Sequence, residues 1–211
     1  MILQGMLFLS LAGLLPTAFD EAPRPANRAV RQTVLASPRS CSLLQAQKSE
    51  QELHRMATMV RCLGGKPEYA KILLSAGKEF DIDPILLAAV TCVESSFRPT
   101  VSSGRGARGL MQLRPIVLNV LGVTDPCNPH ENIMAGAAYL RTCFDRYAVR
   151  PEGTFLALAA YNIGPGPVEK LTRSDAAERF VKKVLSVYNR FTDSPIPIRQ
   201  KGSGLSVTKK R

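Results

Sequence analysis

The sequence contains no tryptophan, and aromatic residues make up only 6% of its 211 residues. This shortage argues against a surface on which nucleic-acid bases stack. No apolar run approaches the roughly 20 residues that a membrane-spanning helix needs, so we predict no transmembrane span. Glycine and proline, at 15 residues each, are too few for a low-complexity chain. The length then fits one compact domain with extensions.

Acidic residues are also scarce, with 17 Asp and Glu against 28 Lys and Arg and a formal net charge of +11. Such a chain favours a polyanionic partner, whether nucleic acid, an anionic membrane surface or an acidic cell-wall polymer. None of the usual nucleic-acid-binding motifs occurs, and the tail after Pro195 adds basic residues without any Asp or Glu. We therefore predict no nucleic-acid partner.

The N-terminal segment has the length of an export signal. Residues 6–15 (MLFLSLAGLL) are apolar, and Pro16-Thr17-Ala18 follows them, so cleavage after Ala18 is expected. No Lys or Arg precedes the apolar run, which keeps a short amphipathic or core helix as the alternative. We interpret residues 1–18 as a signal peptide.

The cysteines also bear on whether the protein is exported. The five cysteines are Cys41, Cys62, Cys92, Cys127 and Cys143. They lack the paired short spacing of a zinc site, so we expect no metal. In an exported chain they allow up to two disulfides. If residues 42–63 form one helix, Cys41 and Cys62 are too far apart to pair, and the same holds for Cys127 and Cys143. We expect at least one disulfide between different helices.

Hydrophobic periodicity predicts a mainly α-helical protein. Asp83-Pro84 is a strong helix start, with a capping carboxylate before a proline at the first helical position. The residues that follow, 85–93 (ILLAAVTCV), are apolar on every face, which places this helix in the middle of a core. Further helices are predicted around residues 53–63, 68–79, 154–161 and 176–191.

Asn128-Pro129-His130-Glu131 is a variant of the capping box and predicts another helix start. The apolar stripe of that helix consists of Ile133, Ala137, Leu140, Phe144 and Tyr147. Gly136 lies on the same face and would permit a close approach of a second helix.

The domain organisation follows from these patterns. Residues 19–65 form an N-terminal arm and helix, and residues 66–192 form a single helical domain. Residues 193–211 form a basic tail, which we predict to be disordered.

Glu94 ends a helix that is otherwise apolar. A carboxyl group at the mouth of a buried helix loses hydration, which favours its neutral form and raises its pKa. A carboxyl protonated near neutral pH is suited to act as the general acid in glycosidic cleavage.

Two further motifs accompany Glu94. Residues 104–113 (GRGARGLMQL) contain three glycines, so their backbone can approach a ligand closely, and Gln112 offers a donor and an acceptor. Residues 159–166 (AAYNIGPG) run from a helix into a turn, with Tyr161 and Asn162 at the junction. Hydroxyl and amide groups of this kind suit the hydroxyl and acetamido groups of sugars.

The ordered motifs V-E-S-S-F, G-L-M-Q-L and A-A-Y-N-x-G-P-G resemble those of the soluble lytic transglycosylases. These are cell-wall enzymes whose α-helical domain is related to goose-type lysozyme. The resemblance covers residues 80–192 and includes N-I-x-A-G-x-x-Y-L at 132–140. It implies a lysozyme-like helical domain with at most a small β-element near G-L-M-Q-L. It also implies peptidoglycan glycan strands as substrate, no cofactor, and a periplasmic or secreted location.

The resemblance also assigns roles to residues. Glu94 falls on the catalytic acid. The substrate-binding positions are Ser95 beside it, Met111 and Gln112 on the element lining the sugar cleft, and Tyr161 and Asn162 on the pair facing the acid.

The count of carboxylates bears on the mechanism. Ordinary glycosidases need two acids, yet residues 95–124, which should form most of the cleft wall, contain no Asp or Glu. The resemblance implies that Glu94 acts alone, first as acid and then as base. The C6 hydroxyl of the sugar then closes a 1,6-anhydro ring without water.

Two rival functions remain open. A goose-type lysozyme would hydrolyse the same polymer and would need a second carboxylate, which Asp125 or Glu131 supplies only if their loop folds back. A non-catalytic cell-wall-binding component of a secretion or conjugation apparatus would keep the cleft alone. The intact Glu94, Gln112, Tyr161 and Asn162 argue against that second rival.

Overall fold

A computed structural model describes residues 38–170 and 174–196, with side chains from Ser42 onward. The predicted signal peptide, residues 19–37 of the arm and the tail from residue 197 lie outside the described residues. The described part contains eight helices and no strand. They are α1 (Pro38–Cys62), α2 (Tyr69–Phe80), α3 (Pro84–Ser95), α4 (Pro115–Val120), α5 (Pro129–Tyr147), α6 (Gly153–Ile163), α7 (Pro165–Glu169) and α8 (Asp175–Tyr188). The predicted mainly α class is confirmed.

Helix α3 lies in the middle of the core, as its apolar sequence predicts. The Asp83 carboxylate caps it by accepting the Ile85 N–H at 2.8 Å. The same carboxylate accepts the Tyr188 hydroxyl at 2.7 Å, which ties the start of α3 to the end of α8. Residues 86–91 are all buried, and α3 packs against α2 and α8. This packing fixes the direction in which α3 delivers its last turn.

Helix α5 begins at the predicted cap, but only half of the capping box forms. The Asn128 side chain accepts the N–H groups of His130 and Glu131. Glu131 does not return to the Asn128 N–H. Instead its carboxylate accepts the Thr124 N–H, the Thr124 hydroxyl and the Asp125 N–H. It therefore holds the loop before α5.

Gly136 permits a close approach, and the group nearest to it is the side chain of Met111. A Cβ atom at Gly136 would overlap the side chain of Met111. A side chain from the loop before α4 therefore fills the space directly over this glycine.

Helix α1 is anchored by its C-terminal half alone. Residues 42–55 are exposed, whereas Met56, Met59 and Val60 join the core against α2. The helix ends before Gly64-Gly65, as predicted. None of the helices in residues 38–170 and 174–196 is both long and apolar enough to cross a membrane.

The cysteines with described side chains are all free thiols. They are Cys62, Cys92, Cys127 and Cys143. The expected disulfide between helices is therefore not formed among them. Cys143 is buried, and loss of hydration raises its pKa to about 11, which makes it an unreactive core thiol.

Candidate active site

Glu94 lies in the last turn of α3 and is partly buried. No hydrogen bond or ion pair engages its carboxyl group among the described residues. Burial raises the pKa of Glu94 to about 8, with no opposing charge to lower it. The side chain is therefore protonated at neutral pH and is free to donate that proton.

The backbone turns sharply after Glu94. Ser96 and Phe97 both adopt the left-handed conformation, with φ of 52° and 59°, which non-glycine residues rarely do. The surroundings hold this conformation: the Phe97 ring is buried and stacks on Tyr69, with centroids 6.3 Å apart. Such strain persists only where packing over-determines it, and it clusters at functional sites.

Ser95 faces the protein interior. Its hydroxyl donates to the Thr91 carbonyl at 3.2 Å, and the residue is 2% exposed. This position gives the side chain a structural role in α3, and its expected binding role stays a prediction. The Ser95 carbonyl accepts the Arg98 Nε–H at 3.1 Å, which helps to secure the turn.

Residues 101–113 form a tight loop with two isolated β-bridges, Ser102 to Arg108 and Arg108 to Leu113. This is the small β-element predicted near G-L-M-Q-L. Gln112 is left-handed, with φ of 49°, and its Nε2 donates to the carbonyls of Val101 and Gly109, both at 2.9 Å. Gln112 thus fixes the loop with its amide nitrogen, and its Oε1 makes no hydrogen bond to another described residue.

Met111 anchors this loop to the helices. Its side chain is fully buried, and its expected contact with substrate stays a prediction. The Met111 N–H donates to the Asn132 side chain at 2.8 Å, and the Met111 carbonyl accepts the Tyr161 hydroxyl, also at 2.8 Å. The backbone of Met111 therefore joins α5, α6 and the loop.

Asn132 is the second anchor, and the sequence reading missed it. It is fully buried, and its Nδ2 donates to the carbonyls of Arg108 and Pro126. A Cβ atom at Gly109, whose φ is +81°, would overlap this amide. Asn132 was visible in the sequence as a polar residue beside the apolar stripe of α5.

Tyr161 lies beside Glu94 on the neighbouring helix α6. Burial and then the charge of Glu94 raise the pKa of Tyr161 well above its ordinary value, so the phenol stays neutral. Tyr139 packs against it, with ring centroids 5.3 Å apart, and was not predicted as a site residue. Asn162 is partly exposed, and its side chain has no hydrogen bond to another described residue.

Arg114 lies on the same side of the molecule and was also missed as an individual site residue. A Cβ atom at Gly164 would lie 3.4 Å from its Nη2, so the guanidinium sits over the turn that ends α6. Burial raises the pKa of Tyr139 to about 12 although the positive charge of Arg114 opposes that rise. The guanidinium is therefore close to Tyr139 as well.

The acids that a hydrolase would require are engaged elsewhere. The N–H groups of Asp125 and Thr124, with the Thr124 hydroxyl, hold the pKa of Glu131 below its usual range. Asp125 accepts the Cys127 N–H at 2.9 Å. Both carboxylates thus serve the loop before α5 and do not supply a base beside Glu94.

The structure therefore brings Glu94, the loop of Gln112 and Tyr161 together, from three separate parts of the chain. Ser95 and Met111 support that arrangement from inside the core. No group of three or more potential metal ligands occurs among the described His, Cys, Asp and Glu side chains.

Comparison with known families gives one match over this region. The model of the transglycosylase SLT domain matches residues 71–183, more than half of the chain. That range includes every predicted site residue and all helices from α3 to α7.

Individual relatives agree with it. The chain is 39% identical over 106 residues to membrane-bound lytic murein transglycosylase F from Pseudomonas syringae pv. syringae, a match that covers 49% of the chain and 21% of the relative. It is 40% identical over 102 residues to a transglycosylase of Enterobacteria phage PRD1, covering 48% of the chain and 37% of the relative. The chain thus spans well under half the length of these curated relatives.

Solved structures support the fold. An inactive glutamate-to-glutamine mutant of lytic transglycosylase Slt from Pseudomonas aeruginosa matches with a TM-score of 0.52 and 29% identity, covering 62% of the chain and 25% of the Slt chain. The 70 kDa lytic transglycosylase SLT70 from Escherichia coli also matches with a TM-score of 0.52, at 22% identity, covering 58% of the chain and 24% of its own. The predicted lysozyme-like helical fold is confirmed.

Proposed function

The chain belongs to the transglycosylase SLT domain family, and we propose that it is a peptidoglycan lytic transglycosylase. It cleaves the β-1,4 bond between N-acetylmuramic acid and N-acetylglucosamine and leaves 1,6-anhydro-N-acetylmuramic acid. Residues 66–192 form the catalytic domain, and glycan strands of the cell wall are the substrate.

Glu94 performs the first step as a general acid. Its proton passes to the glycosidic oxygen while the bond between that oxygen and C1 breaks. The acetamido group of the same sugar supports the positive charge that develops at C1. The raised pKa of Glu94 keeps the proton in place at neutral pH until the substrate accepts it.

The second step returns the proton. The Glu94 carboxylate removes a proton from the C6 hydroxyl, and the C6 oxygen forms a new bond to C1. No water is consumed, and Glu94 ends the cycle protonated. An internal hydroxyl has a high effective concentration, which favours it over bulk water.

The loop and α6 position the substrate against Glu94. Gln112 presents its free Oε1 while its nitrogen holds the loop, and Asn162 offers an amide that no described residue occupies. Tyr161 remains neutral beside the acid and orients the loop through the Met111 carbonyl. Ser95 and Met111 contribute by fixing the backbone of α3 and of the loop.

The observation that carries the proposal is the partly buried carboxyl group of Glu94, which has no partner among the described residues and a pKa of about 8. The acids that would make a second catalytic carboxylate hold a loop instead. The relatives named lytic murein transglycosylase support the substrate, and the inactive glutamate-to-glutamine mutant of Slt supports one essential glutamate.

Mass analysis of products from purified sacculi tests this function. We expect muropeptides that end in 1,6-anhydro-N-acetylmuramic acid, one water lighter than lysozyme products and without a reducing end. Glu94→Gln should give no products and serves as the control. Products with a reducing end that incorporate oxygen from labelled water would establish the goose-type lysozyme reaction instead.

We also propose that the protein acts in the periplasm or outside the cell, because its substrate is there. Residues 1–18 would direct its export. Cell fractionation tests this, and retention in the cytoplasm would contradict it. Service to a secretion or conjugation apparatus would appear as co-purification with components of that apparatus.

A further inference from the structure

We propose that Arg114 binds a carboxylate of the substrate beside the reacting sugar and thereby makes the enzyme prefer acidic glycan strands over neutral ones. The inference rests on the proposed function, and it adds the chemical group that the cleft recognises.

The position of Arg114 carries the first part of the argument. Arg114 follows the loop of Gln112 directly and is the N-cap residue of α4. Its guanidinium lies over the turn at Gly164, two residues after Asn162. It also acts electrostatically on Tyr139, whose ring packs on Tyr161. Arg114 therefore acts on Tyr139, which packs against Tyr161. The charge of Glu94 in turn raises the pKa of Tyr161.

The absence of a partner carries the second part. Arg114 is only partly exposed, yet no carboxylate or carbonyl group accepts a hydrogen bond from its side chain within the described residues. By contrast, Arg141 pairs with Asp145, and Arg146 pairs with Glu169 at 2.8 Å. A guanidinium carries five donors, so a half-buried one without a protein partner is available to a ligand.

Arg114 is not the counter-ion of the catalytic acid. Burial is what moves the pKa of Glu94, and no nearby cation lowers it. The positive charge is therefore free to meet a charge on the substrate. The planar fork of a guanidinium matches a carboxylate through two parallel hydrogen bonds.

Peptidoglycan offers such carboxylates from two sources. The stem peptides carry free carboxylates, and the lactyl group of N-acetylmuramic acid becomes a carboxylate where the peptide has been removed. Arg114 recognises the shared chemistry, and the test separates the two sources by using strands with and without peptides.

Binding of glycan strands in the Glu94→Gln background tests the proposal without requiring turnover. The probes are peptide-bearing strands, strands stripped of peptide by an amidase, and neutral chitooligosaccharides. We expect Arg114→Gln to weaken binding of at least one acidic probe about tenfold, the size of one lost charge-assisted hydrogen bond. Binding of chitooligosaccharides should change less than about twofold. Arg114→Lys, which keeps the charge without the fork, should fall between.

Arg105→Gln is the matched control. Arg105 is an exposed arginine of the same segment, residues 95–124, and its loss changes the net charge equally. We expect it to change the affinity for acidic strands less than about twofold. Loss confined to peptide-bearing strands identifies the stem peptide as the source, and loss on stripped strands identifies the lactyl group.

Three outcomes overturn the proposal. If Arg114→Gln and its Glu94→Gln parent bound both acidic probes with equal affinity, Arg114 would bind no carboxylate. Equal losses on acidic and neutral probes would show that Arg114 only supports the turn at Gly164. If Arg105→Gln lowered the affinity for acidic strands as much as Arg114→Gln does, the effect would come from the net positive charge rather than from a site at Arg114. Failure of the Glu94→Gln parent to bind any strand would instead refute the proposed function itself.

Discussion

Glu94 and Glu131 are both glutamates at helix ends in the same domain, yet their surroundings give them opposite properties. Glu94 ends α3, accepts no hydrogen bond from any residue that the structure describes, and burial raises its pKa to about 8. Glu131 begins α5 and accepts three hydrogen bonds from Thr124 and Asp125, which lower its pKa. The environment of the carboxyl group, rather than its chemistry, therefore decides which glutamate can act as an acid.

The helix dipole adds to this difference. The N-terminus of a helix favours negative charge, and the C-terminus disfavours it. Glu131 lies in the first turn of α5, where its charge is favoured. Glu94 lies in the last turn of α3, where the dipole opposes ionisation in the same direction as burial does. Sequence position within the helix thus prepares each residue for its role.

The largest expected effect separates the two glutamates by activity. Glu94→Gln should lower turnover on sacculi by at least about a hundredfold, because the amide cannot donate the proton and a general acid contributes a factor of that size. Glu131→Gln is the matched control and should keep turnover within about threefold of the wild type, because Glu131 touches no reacting group. Equal losses of turnover in the two variants would contradict the assignment of Glu94 as the catalytic acid.

Glu94→Gln should also stabilise the fold. The folded state keeps the Glu94 proton up to about pH 8, whereas the unfolded chain releases it near the ordinary value of 4.5. Wild-type stability therefore falls as the pH rises between these values. Glu94→Gln removes that loss and should raise the free energy of unfolding on the order of 4 kcal/mol at alkaline pH, and little in acid. Urea unfolding at both pH values measures it, and a destabilised variant at alkaline pH would contradict it.

Tyr161→Phe tests the side of the site that faces Glu94. Loss of the hydroxyl leaves the buried Met111 carbonyl without its donor, and we expect the protein to lose about 1–2 kcal/mol of stability. Turnover should also fall more than substrate affinity does. Asn162→Ala, which breaks no described hydrogen bond, is the control and should lower turnover while keeping the melting temperature.

Glu131→Gln should give the smallest effect and the opposite pH trend from Glu94→Gln. A carboxylate with a lowered pKa contributes stability above its unfolded pKa and loses it as the pH falls through the folded value. The wild type should therefore be the more stable protein near neutral pH, with a slightly higher melting temperature, and the difference should vanish in acid. A gap that persists in acid would assign the effect to packing rather than charge.

Local patterns in the sequence predict the parts of the fold that local interactions build. Asp83 and Asn128 cap the helices that their positions predict, because a cap needs only the next two or three N–H groups. The short helices α4 and α7 were missed, although Pro115 and Pro165 stand at their first positions. A six-residue and a five-residue helix carry too little periodicity to be recognised by pattern alone.

The contacts that build the site could not be predicted in this way. The bond from Tyr161 to Met111 joins residues 50 positions apart, and the one from Met111 to Asn132 spans 21. The contact of Gly136 with Met111 and the bonds of Glu131 to Thr124 and Asp125 could not be predicted for the same reason. Each partner lies in a loop whose path depends on the whole fold. The raised pKa of Glu94, by contrast, follows from one apolar helix and was predictable.

The central claim is that Glu94 carries a proton at neutral pH, and a direct titration of its carboxyl group tests it most simply. Carbon-13 NMR of protein labelled at the glutamate side-chain carboxyl carbon, with Glu94→Gln to identify the signal, gives the pKa of this residue alone. The structure predicts a midpoint of about 8 for this signal. A midpoint near the ordinary value of 4.5 would show that Glu94 is ionised at neutral pH and cannot serve as the acid.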